Sequence, residues 1–501
     1  MRIRCFVPQH DRNIFFTNAP MKRYFCLIFA IFTINAEAQN DRYLILLKDK
    51  VGSPYSVGQP SGFLSNRAIQ RRQRQQIAII ERDLPVNPSY ISQLAGTGAR
   101  VLYSSRWLNA VLVQADTTIH KAIKQLACYK NTYRNGPLNA TATYPLVNAG
   151  VQGSEVLQNS LNITQLTQNQ ANTNYGLAKK QVTMLGADVM HNQNYQGQGM
   201  WVGVFDSGFL NANNLRSFDS LFTQNRVITT YDFVDGNANV FDDDRHGTMV
   251  LSCMAANWPN VMVGTAPKAS YALFRTETTA SETPAEEAYW LFAAERADSL
   301  GIDVINSSLG YFEFDNAAQN YKYTELNGNK ALVTKAANWA VGAGMVVVNS
   351  AGNERANSWK YIIAPADGDS VLAIAAVDSN QVITFFSSLG PSADGRVKPD
   401  LAAMGLQVAV AFTDGSIVAA AGTSFSSPLT AGLVAGFWQA YPCLSAIEVV
   451  RLMRQAGNHP NLPDNDTGYG IPTFTRAATA AEAYFNRKCA PVKTQKMGVK
   501  L

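Results

Sequence analysis

Three short motifs place side chains that could perform nucleophilic acyl transfer next to apolar segments. The apolar run 202–205 is followed directly by Asp206, Arg245-His246-Gly247 opens a segment of helical character, and Gly422-Thr423-Ser424 precedes another. A serine hydroxyl becomes a nucleophile when a histidine removes its proton, and a carboxylate can orient that histidine. Each motif alone also fits a structural role, namely an acidic strand end, a buried histidine or a serine at a helix N-terminus.

A fourth motif could stabilise the negative charge that acyl transfer develops. The apolar run 346–348 leads into Asn349-Ser350-Ala351-Gly352-Asn353. The amide of Asn353 and the backbone N–H of Ser424, at the start of a predicted helix, form a candidate oxyanion hole. The four motifs together, in the order Asp206, His246, Asn353 and Ser424, predict a serine hydrolase.

Two other hydrolase classes fit the motifs less well. Asp206-Ser207-Gly208 also occurs in aspartic proteases, but that chemistry needs two carboxylates that share a proton. The other tripeptide of this kind, Asp466-Thr467-Gly468, does not follow an apolar strand-like run as Asp206 does. An esterase of the α/β-hydrolase type would carry G-x-S-x-G and the order Ser, Asp, His. The segment 422–426 lacks the last glycine of that motif, and the order is different.

Apolar, strand-like runs alternate with helical stretches beyond residue 175, which predicts an α/β fold with a mainly parallel sheet between helices. In such sheets, sites form at the carboxyl ends of the strands. The predicted strands are 200–205, 271–274, 304–305, 345–348 and 371–377.

A smaller α+β domain is predicted for residues 39–135, with strands at 43–47, 100–103 and 110–114 and helices at 64–80 and 118–126. The polar residues 136–174 read as an exposed linker. The arginines at 71, 72 and 74 are interpreted as a solvated helix face, a processing site and an anion patch being the alternatives. Residues 39–170 carry 14 basic and 6 acidic side chains, a net charge of +8, whereas residues 171–501 carry 23 and 29, a net charge of −6. Opposite charges would favour docking of the two parts.

The N-terminus predicts export. Met21-Lys22-Arg23, the apolar run 24–34 and Ala36-Glu37-Ala38 have the pattern of a signal peptide within residues 1–38, and Met21 could be the true start. We therefore expect a secreted or periplasmic protein with no membrane span after signal removal. Export permits disulfides, and Cys443 could pair with Cys489. With 47% hydrophobic and 16% charged residues and a net charge of +5, the chain is globular and is not expected to bind nucleic acid.

The four motifs and their order resemble the subtilisin-like serine peptidases (subtilases, peptidase family S8), over about residues 175–480. The resemblance implies a subtilisin-like three-layer α/β/α catalytic domain at 175–485, with a C-terminal tail at 486–501. It also implies that Asp206 orients the base, that His246 is the base, that Ser424 is the nucleophile and that Asn353 completes the oxyanion hole. The segment 306–310 looks like the family's substrate-binding strand, which assigns Ser308, Leu309 and Gly310, together with Gly352, to substrate binding.

Residues 39–135 are similar to subtilase propeptides, which assist folding and inhibit the enzyme until they are cut away. The function predicted is thus a secreted serine endopeptidase made as a zymogen, with polypeptide substrates and its own propeptide as partners. A non-catalytic protein on the same scaffold is the rival hypothesis, although no triad or oxyanion residue is missing. Asp242, Asp243 and Asp244 are expected to form a solvated loop, and no preference for basic substrates is predicted. No cofactor or metal site is predicted, and structural calcium, frequent in the family, has no ligand loop here.

Overall fold

An antiparallel sheet of four strands, in the order β2-β3-β1-β4, is the centre of the N-terminal domain. Its strands are β1 (Asp41–Leu47), β2 (Arg100–Ser105), β3 (Ala110–Ala115) and β4 (Tyr129–Thr132), and its helices are α1 (Asn66–Arg74), α2 (Pro88–Gly96) and α3 (Thr117–Ile123). The computed structural model describes residues 41–139, 156–160 and 175–485. The predicted signal region at 1–38 and the tail at 486–501 lie outside the described residues.

Side-chain caps fix where the helices of this domain begin. The Ser65 hydroxyl accepts a hydrogen bond from the Ala68 N–H (3.1 Å), and the Asp116 carboxylate accepts one from the Ile119 N–H (2.7 Å). Such caps satisfy N–H groups that have no partner in the first helical turn. The predicted α+β domain is therefore present. The helix predicted at 64–80 is confined to α1, and α2 and β4 were not predicted.

The second part of the chain is built on a parallel sheet of seven strands in the order β14-β13-β12-β11-β6-β10-β7. The strands from residue 156 onward are β5 (Val156–Ser160), β6 (Trp201–Asp206), β7 (Val227–Asp232), β8 (Asn257–Trp258), β9 (Met262–Val263), β10 (Ser270–Arg275), β11 (Val304–Ser307), β12 (Val346–Ser350), β13 (Leu372–Val377), β14 (Leu401–Met404), β15 (Val408–Ala411) and β16 (Ile417–Ala420). All five strands predicted from apolar runs are present in this sheet.

Helices cover both faces of the sheet. The helices are α4 (Lys179–Met184), α5 (Ala187–Asn192), α6 (Asp219–Thr223), α7 (His246–Ala255), α8 (Ala285–Leu300), α9 (Leu332–Gly342), α10 (Thr423–Ala440), α11 (Ala446–Gln455) and α12 (Phe474–Phe485). Val346 and Val348 pack with α7 and α10, whereas Val347, between them, packs with α8 and α9. This alternation follows from the two-residue period of a strand, and it produces the predicted three-layer α/β/α fold.

A short strand occupies part of the predicted linker. β5 pairs antiparallel with β16, opposite Ala420 and Ala419, and the hairpin of β15 and β16 gains a third strand. Residues 156–160, within the predicted linker 136–174, therefore form a strand. The backbone of β16 supplies an edge that the polar composition of the linker could not reveal.

The N-terminal domain packs against the second part of the chain through buried charges. Asp298 on α8 accepts hydrogen bonds from Arg71, from Arg72 (2.8 Å) and from Arg106 (2.6 Å). Arg71 and Arg72 are 2% and 3% exposed, so the interpretation of this cluster as a solvated face is wrong for both residues. The sequence could not indicate this burial, because Asp298, the acidic partner of both arginines, lies more than 220 positions away in the chain.

The described cysteines are either buried or disulfide-bonded. Cys128 and Cys253 are buried free thiols, and Cys443 is disulfide-bonded. Cys489, its predicted partner, lies outside the described residues. Within the described residues, none of the helices combines the length and the apolar character that crossing a bilayer would require.

Candidate active site

Asp206 and His246 meet at the carboxyl edge of the parallel sheet. Asp206 is the last residue of β6, and His246 is the first residue of α7. The Nδ1 atom of His246 lies 2.6 Å from Oδ1 of Asp206, and the two residues are 3% and 0% exposed. Burial alone would lower the pKa of His246, but the charge and hydrogen bond of Asp206 outweigh it and raise that pKa. Because Nδ1 contacts Asp206, Nε2 is the ring nitrogen that remains available to exchange a proton with the nucleophile.

Close backbone packing holds these two residues in place. A Cβ atom on Gly247 would lie 2.3 Å from the Gly208 carbonyl oxygen and 2.9 Å from Cβ of Asp206. Gly247 is therefore required so that the first turn of α7 can approach β6. The glycine next to the histidine, noted in the sequence, has this physical role.

Asp244 positions the start of α7, which sequence reasoning missed. Its Oδ2 accepts hydrogen bonds from the Ser207 hydroxyl (2.7 Å) and from the His246 backbone N–H (3.2 Å). Asp243 contacts Arg275 at 3.2 Å, while Asp242 is exposed. The prediction of a solvated loop is thus wrong for Asp244 and Asp243 and holds for Asp242. The position of Asp244 two residues before the histidine was the only available signal, and acidic loops are common.

Ser424 lies in the first turn of α10, and it is 8% exposed. Its hydroxyl donates a weak hydrogen bond to the Ser308 carbonyl oxygen (3.3 Å), while Nε2 of His246 has no partner within the described residues. The ring of Phe425, the next residue, lies 6.0 Å from the His246 ring, so α10 presents its N-terminus to the histidine. A hydrogen bond between the Ser424 hydroxyl and Nε2 is not formed among the described contacts, and such bonds often tighten only when substrate is bound.

Asn353 is held beside Ser424 by its own carbonyl. Its Oδ1 accepts hydrogen bonds from the Thr423 backbone N–H (2.9 Å) and the Thr423 hydroxyl (3.0 Å). The amide nitrogen of Asn353 donates to no described residue, so it remains available at the N-terminus of α10. Thr423 had been read only as part of the serine motif, and the structure gives it this positioning role.

The predicted substrate-binding residues form one wall of a cleft at Ser424. The Ser308 hydroxyl donates to the Ser424 carbonyl (2.8 Å), and the Leu309 carbonyl accepts from the Asn349 amide (3.0 Å). The backbone N–H and carbonyl of Gly310 make no hydrogen bond to described residues. Gly352 faces this wall, where a Cβ would lie 2.7 Å from the Ser388 hydroxyl. An extended peptide could therefore pair with the backbone at Gly310.

The cleft contains a cavity of about 170 Å³, and the charged residues that line it are all acidic. Among the described residues, its wall contains Ser424, Asn353, the substrate-binding residues and four glutamates, but no lysine, arginine or histidine. The glutamates are Glu277, Glu282, Glu313 and Glu354. These glutamates lie outside the four motifs, so the sequence did not predict their place in the site.

Comparison with known families agrees with this geometry. The family model described as the subtilase family matches residues 197–470, more than half of the chain. The chain belongs to the subtilase family. The Peptidase S8 propeptide domain of the Bacteroidota matches residues 42–147, which include the described N-terminal domain. The protein is a subtilisin-like serine endopeptidase with an N-terminal propeptide.

Individual subtilases resemble the catalytic part of this chain. Subtilisin DY of Bacillus licheniformis is 31% identical over 271 residues, which is 54% of this chain and 87% of that protein. Subtilisin E of Bacillus subtilis is 30% identical over 54% of this chain and 63% of its own length. Among solved structures, the crystal structure of MycP1 with the N-terminal propeptide removed covers 60% of this chain and 96% of that chain. It has 22% identity and a TM-score of 0.48.

The residues that the sequence assigned to the site form two contacting groups, and the ring of Phe425, next to Ser424, lies 6.0 Å from the His246 ring. Asp206 and His246 are in direct contact, and Ser424 and Asn353 are linked through Thr423 and α10. Ser308, Leu309, Gly310 and Gly352 line the same cavity as Ser424.

Proposed function

We propose that this subtilase is an exported endopeptidase whose catalytic triad is Asp206, His246 and Ser424. The observation that carries this proposal is the buried contact between Nδ1 of His246 and the Asp206 carboxylate, with Ser424 at the adjacent helix N-terminus. The carboxylate fixes the tautomer in which Nε2 is the basic nitrogen.

The reaction would proceed through an acyl-enzyme. Nε2 of His246 takes the Ser424 proton as Oγ attacks the carbonyl carbon of the scissile peptide. The oxyanion accepts hydrogen bonds from the Asn353 amide and the Ser424 backbone N–H. His246 then gives its proton to the leaving amine as the C–N bond breaks, and water, activated by the same nitrogen, hydrolyses the ester. This chemistry needs no metal ion or organic cofactor, and structural calcium remains outside the proposal.

The propeptide and the predicted signal peptide support an export pathway for this activity. The N-terminal domain would assist folding and restrain the enzyme until the chain is cut between it and the catalytic domain. The basic residues and apolar run within 1–38 favour a periplasmic or extracellular destination.

The test uses the chain without residues 1–38, as wild type and as Ser424→Ala. Each is followed by intact mass for self-cleavage and by a fluorophosphonate probe for an activated serine. We expect only the wild type to take the probe, and to shorten between the propeptide and catalytic domains. A matched control is Ser427→Ala, which removes a buried hydroxyl on α10 that bonds to Asn306 (2.8 Å) rather than facing the cleft.

Two results would contradict the proposal. Labelling of Ser424→Ala by the probe would show that a residue other than Ser424 is the nucleophile. A folded wild type that neither labels nor cleaves peptides, even after its propeptide is removed by another protease, would favour the non-catalytic scaffold protein.

A further inference from the structure

A group of three glutamates lies at one end of the cleft. One carboxylate oxygen from each of Glu277, Glu282 and Glu286 lies within 4.8 Å of the others. Glu277 and Glu286 are 4% and 0% exposed, and Glu277 and Glu282 line the cavity that contains Ser424. We call these three residues the glutamate group.

The glutamate group has no cation of its own. Within the described residues, no lysine, arginine or histidine forms an ion pair with any of its members, and the Glu282 side chain accepts no hydrogen bond. Glu286 accepts from the Thr278 and Thr283 backbone N–H groups (3.1 and 2.9 Å), and Glu277 accepts from the Tyr311 hydroxyl (2.8 Å). Burial raises the pKa of all three carboxyls, which is the response expected of buried acids that lack a positive partner.

A second group of three carboxylates in the same chain shows how such a group is satisfied. Asp232, Asp235 and Asp243 also have oxygens within 4.8 Å of one another. The guanidinium of Arg275 lies among them, at 2.8, 2.7 and 3.2 Å. A planar guanidinium with five donors suits convergent carboxylates, and it loses less hydration than an ammonium group on burial.

We infer that the glutamate group binds a guanidinium or ammonium side chain of the polypeptide substrate. This inference rests on the proposed function, because it uses the cleft at Ser424 as the substrate site. It assigns Glu277, Glu282 and Glu286 as specificity-determining residues, with Tyr311 positioning Glu277.

The substrate wall locates this basic residue along the peptide. Ser308 contacts the Ser424 hydroxyl, and Tyr311, three residues further along the chain, contacts Glu277. Three residues of extended chain span about 10 Å. A basic side chain that reaches the glutamate group therefore belongs to a residue two to four positions from the scissile bond, and not to the residue whose carbonyl is attacked.

The test compares arginine with citrulline, its uncharged isostere, at each of four positions on either side of the scissile bond in otherwise identical peptides. In wild type, kcat/KM should favour arginine by about ten- to a hundredfold at one position two to four residues from the bond, as expected for charge-assisted hydrogen bonds. The double variant Glu277→Gln/Glu282→Gln and the single variant Glu286→Gln should bring the ratio close to one. The control variant Glu482→Gln, which changes an exposed residue on α12, should leave the ratio unchanged.

Fluorophosphonate labelling measures the fraction of each variant that is folded and active, so a misfolded variant is recognised. Active wild type that cleaves arginine and citrulline peptides equally at every position would overturn the inference and leave the proposed function intact. Loss of the arginine preference on addition of Ca²⁺, with thermal stabilisation in wild type but not in Glu286→Gln, would reassign the group to a divalent cation. Absence of labelling and of all peptide cleavage would instead refute the proposed function.

Discussion

Oδ1 of Asp206 lies 2.6 Å from Nδ1 of His246, and neither side chain is appreciably exposed to solvent. The same carboxylate oxygen also accepts a hydrogen bond from the Ser207 backbone N–H (2.9 Å). The contact therefore orients the imidazole and places a negative charge beside the imidazolium that forms during proton transfer.

Replacing this carboxylate by an amide tests its electrostatic role. Asp206→Asn keeps the shape of the side chain but removes the charge and favours the wrong tautomer of His246. We expect kcat to fall by about 10⁴-fold with little change in the circular dichroism spectrum. Asp242→Asn, an exposed position in the loop before His246, is the control and should retain wild-type kcat. A fall of less than tenfold in Asp206→Asn would show that another group orients the base.

The pH dependence of cleavage reports the pKa of His246. The proposed base must be neutral, and the Asp206 charge raises its pKa despite the opposing effect of burial. A larger fraction of His246 is therefore protonated at a given pH than for an ordinary histidine, so the acid limb of kcat/KM should lie above about pH 6.5. In Asp206→Asn the limb should move to lower pH. An acid limb at the same pH in both enzymes would mean that a different group titrates.

Asn353 should act on the transition state rather than on substrate binding. Its amide nitrogen is free of described partners, whereas its Oδ1 is fixed by Thr423. Asn353→Ala should lower kcat by about 10²–10³-fold and change KM little. Thr423→Ser, which keeps the hydroxyl that binds Oδ1, should remain within a few-fold of wild type. A change confined to KM would place Asn353 in substrate binding only.

The strands and the triad motifs could be predicted because their signals are local. Apolar runs such as 346–348 identify buried strands, and parallel topology brings their carboxyl ends to one edge. The environment of a charged residue could not be predicted in this way. Arg71 reads as a surface residue until Asp298 is placed against it. Glu277, Glu282 and Glu286 lie outside the four motifs, and no local pattern places them near Ser424. Asp244 and Thr423 were missed for the same reason, since their roles depend on distant partners.

Asp298 should control how firmly the propeptide domain is held. Burial alone would raise the pKa of this carboxyl, but Arg106, Arg71 and Arg72 outweigh that effect and lower it. A lowered pKa means that the carboxylate stabilises the docked state at pH values above the usual carboxyl range. That stabilisation is lost as the pH falls through the lowered value.

Asp298→Asn, made in the uncleavable Ser424→Ala chain, would leave the arginines buried without their shared anion. Breaking a buried ion pair from one side costs about 3–5 kcal/mol, so Tm at pH 7 should fall clearly below that of Ser424→Ala alone. The difference should narrow as the pH falls below about 3.9, the ordinary carboxyl pKa at which Asp298 of the unfolded chain takes up a proton, and it should vanish below the lowered pKa of the folded state. Asp369→Asn, whose side chain is 74% exposed, is the matched control and should not change Tm. Equal Tm values for Asp298→Asn and the parent at pH 7 would show that the arginine cluster contributes no net stability to docking.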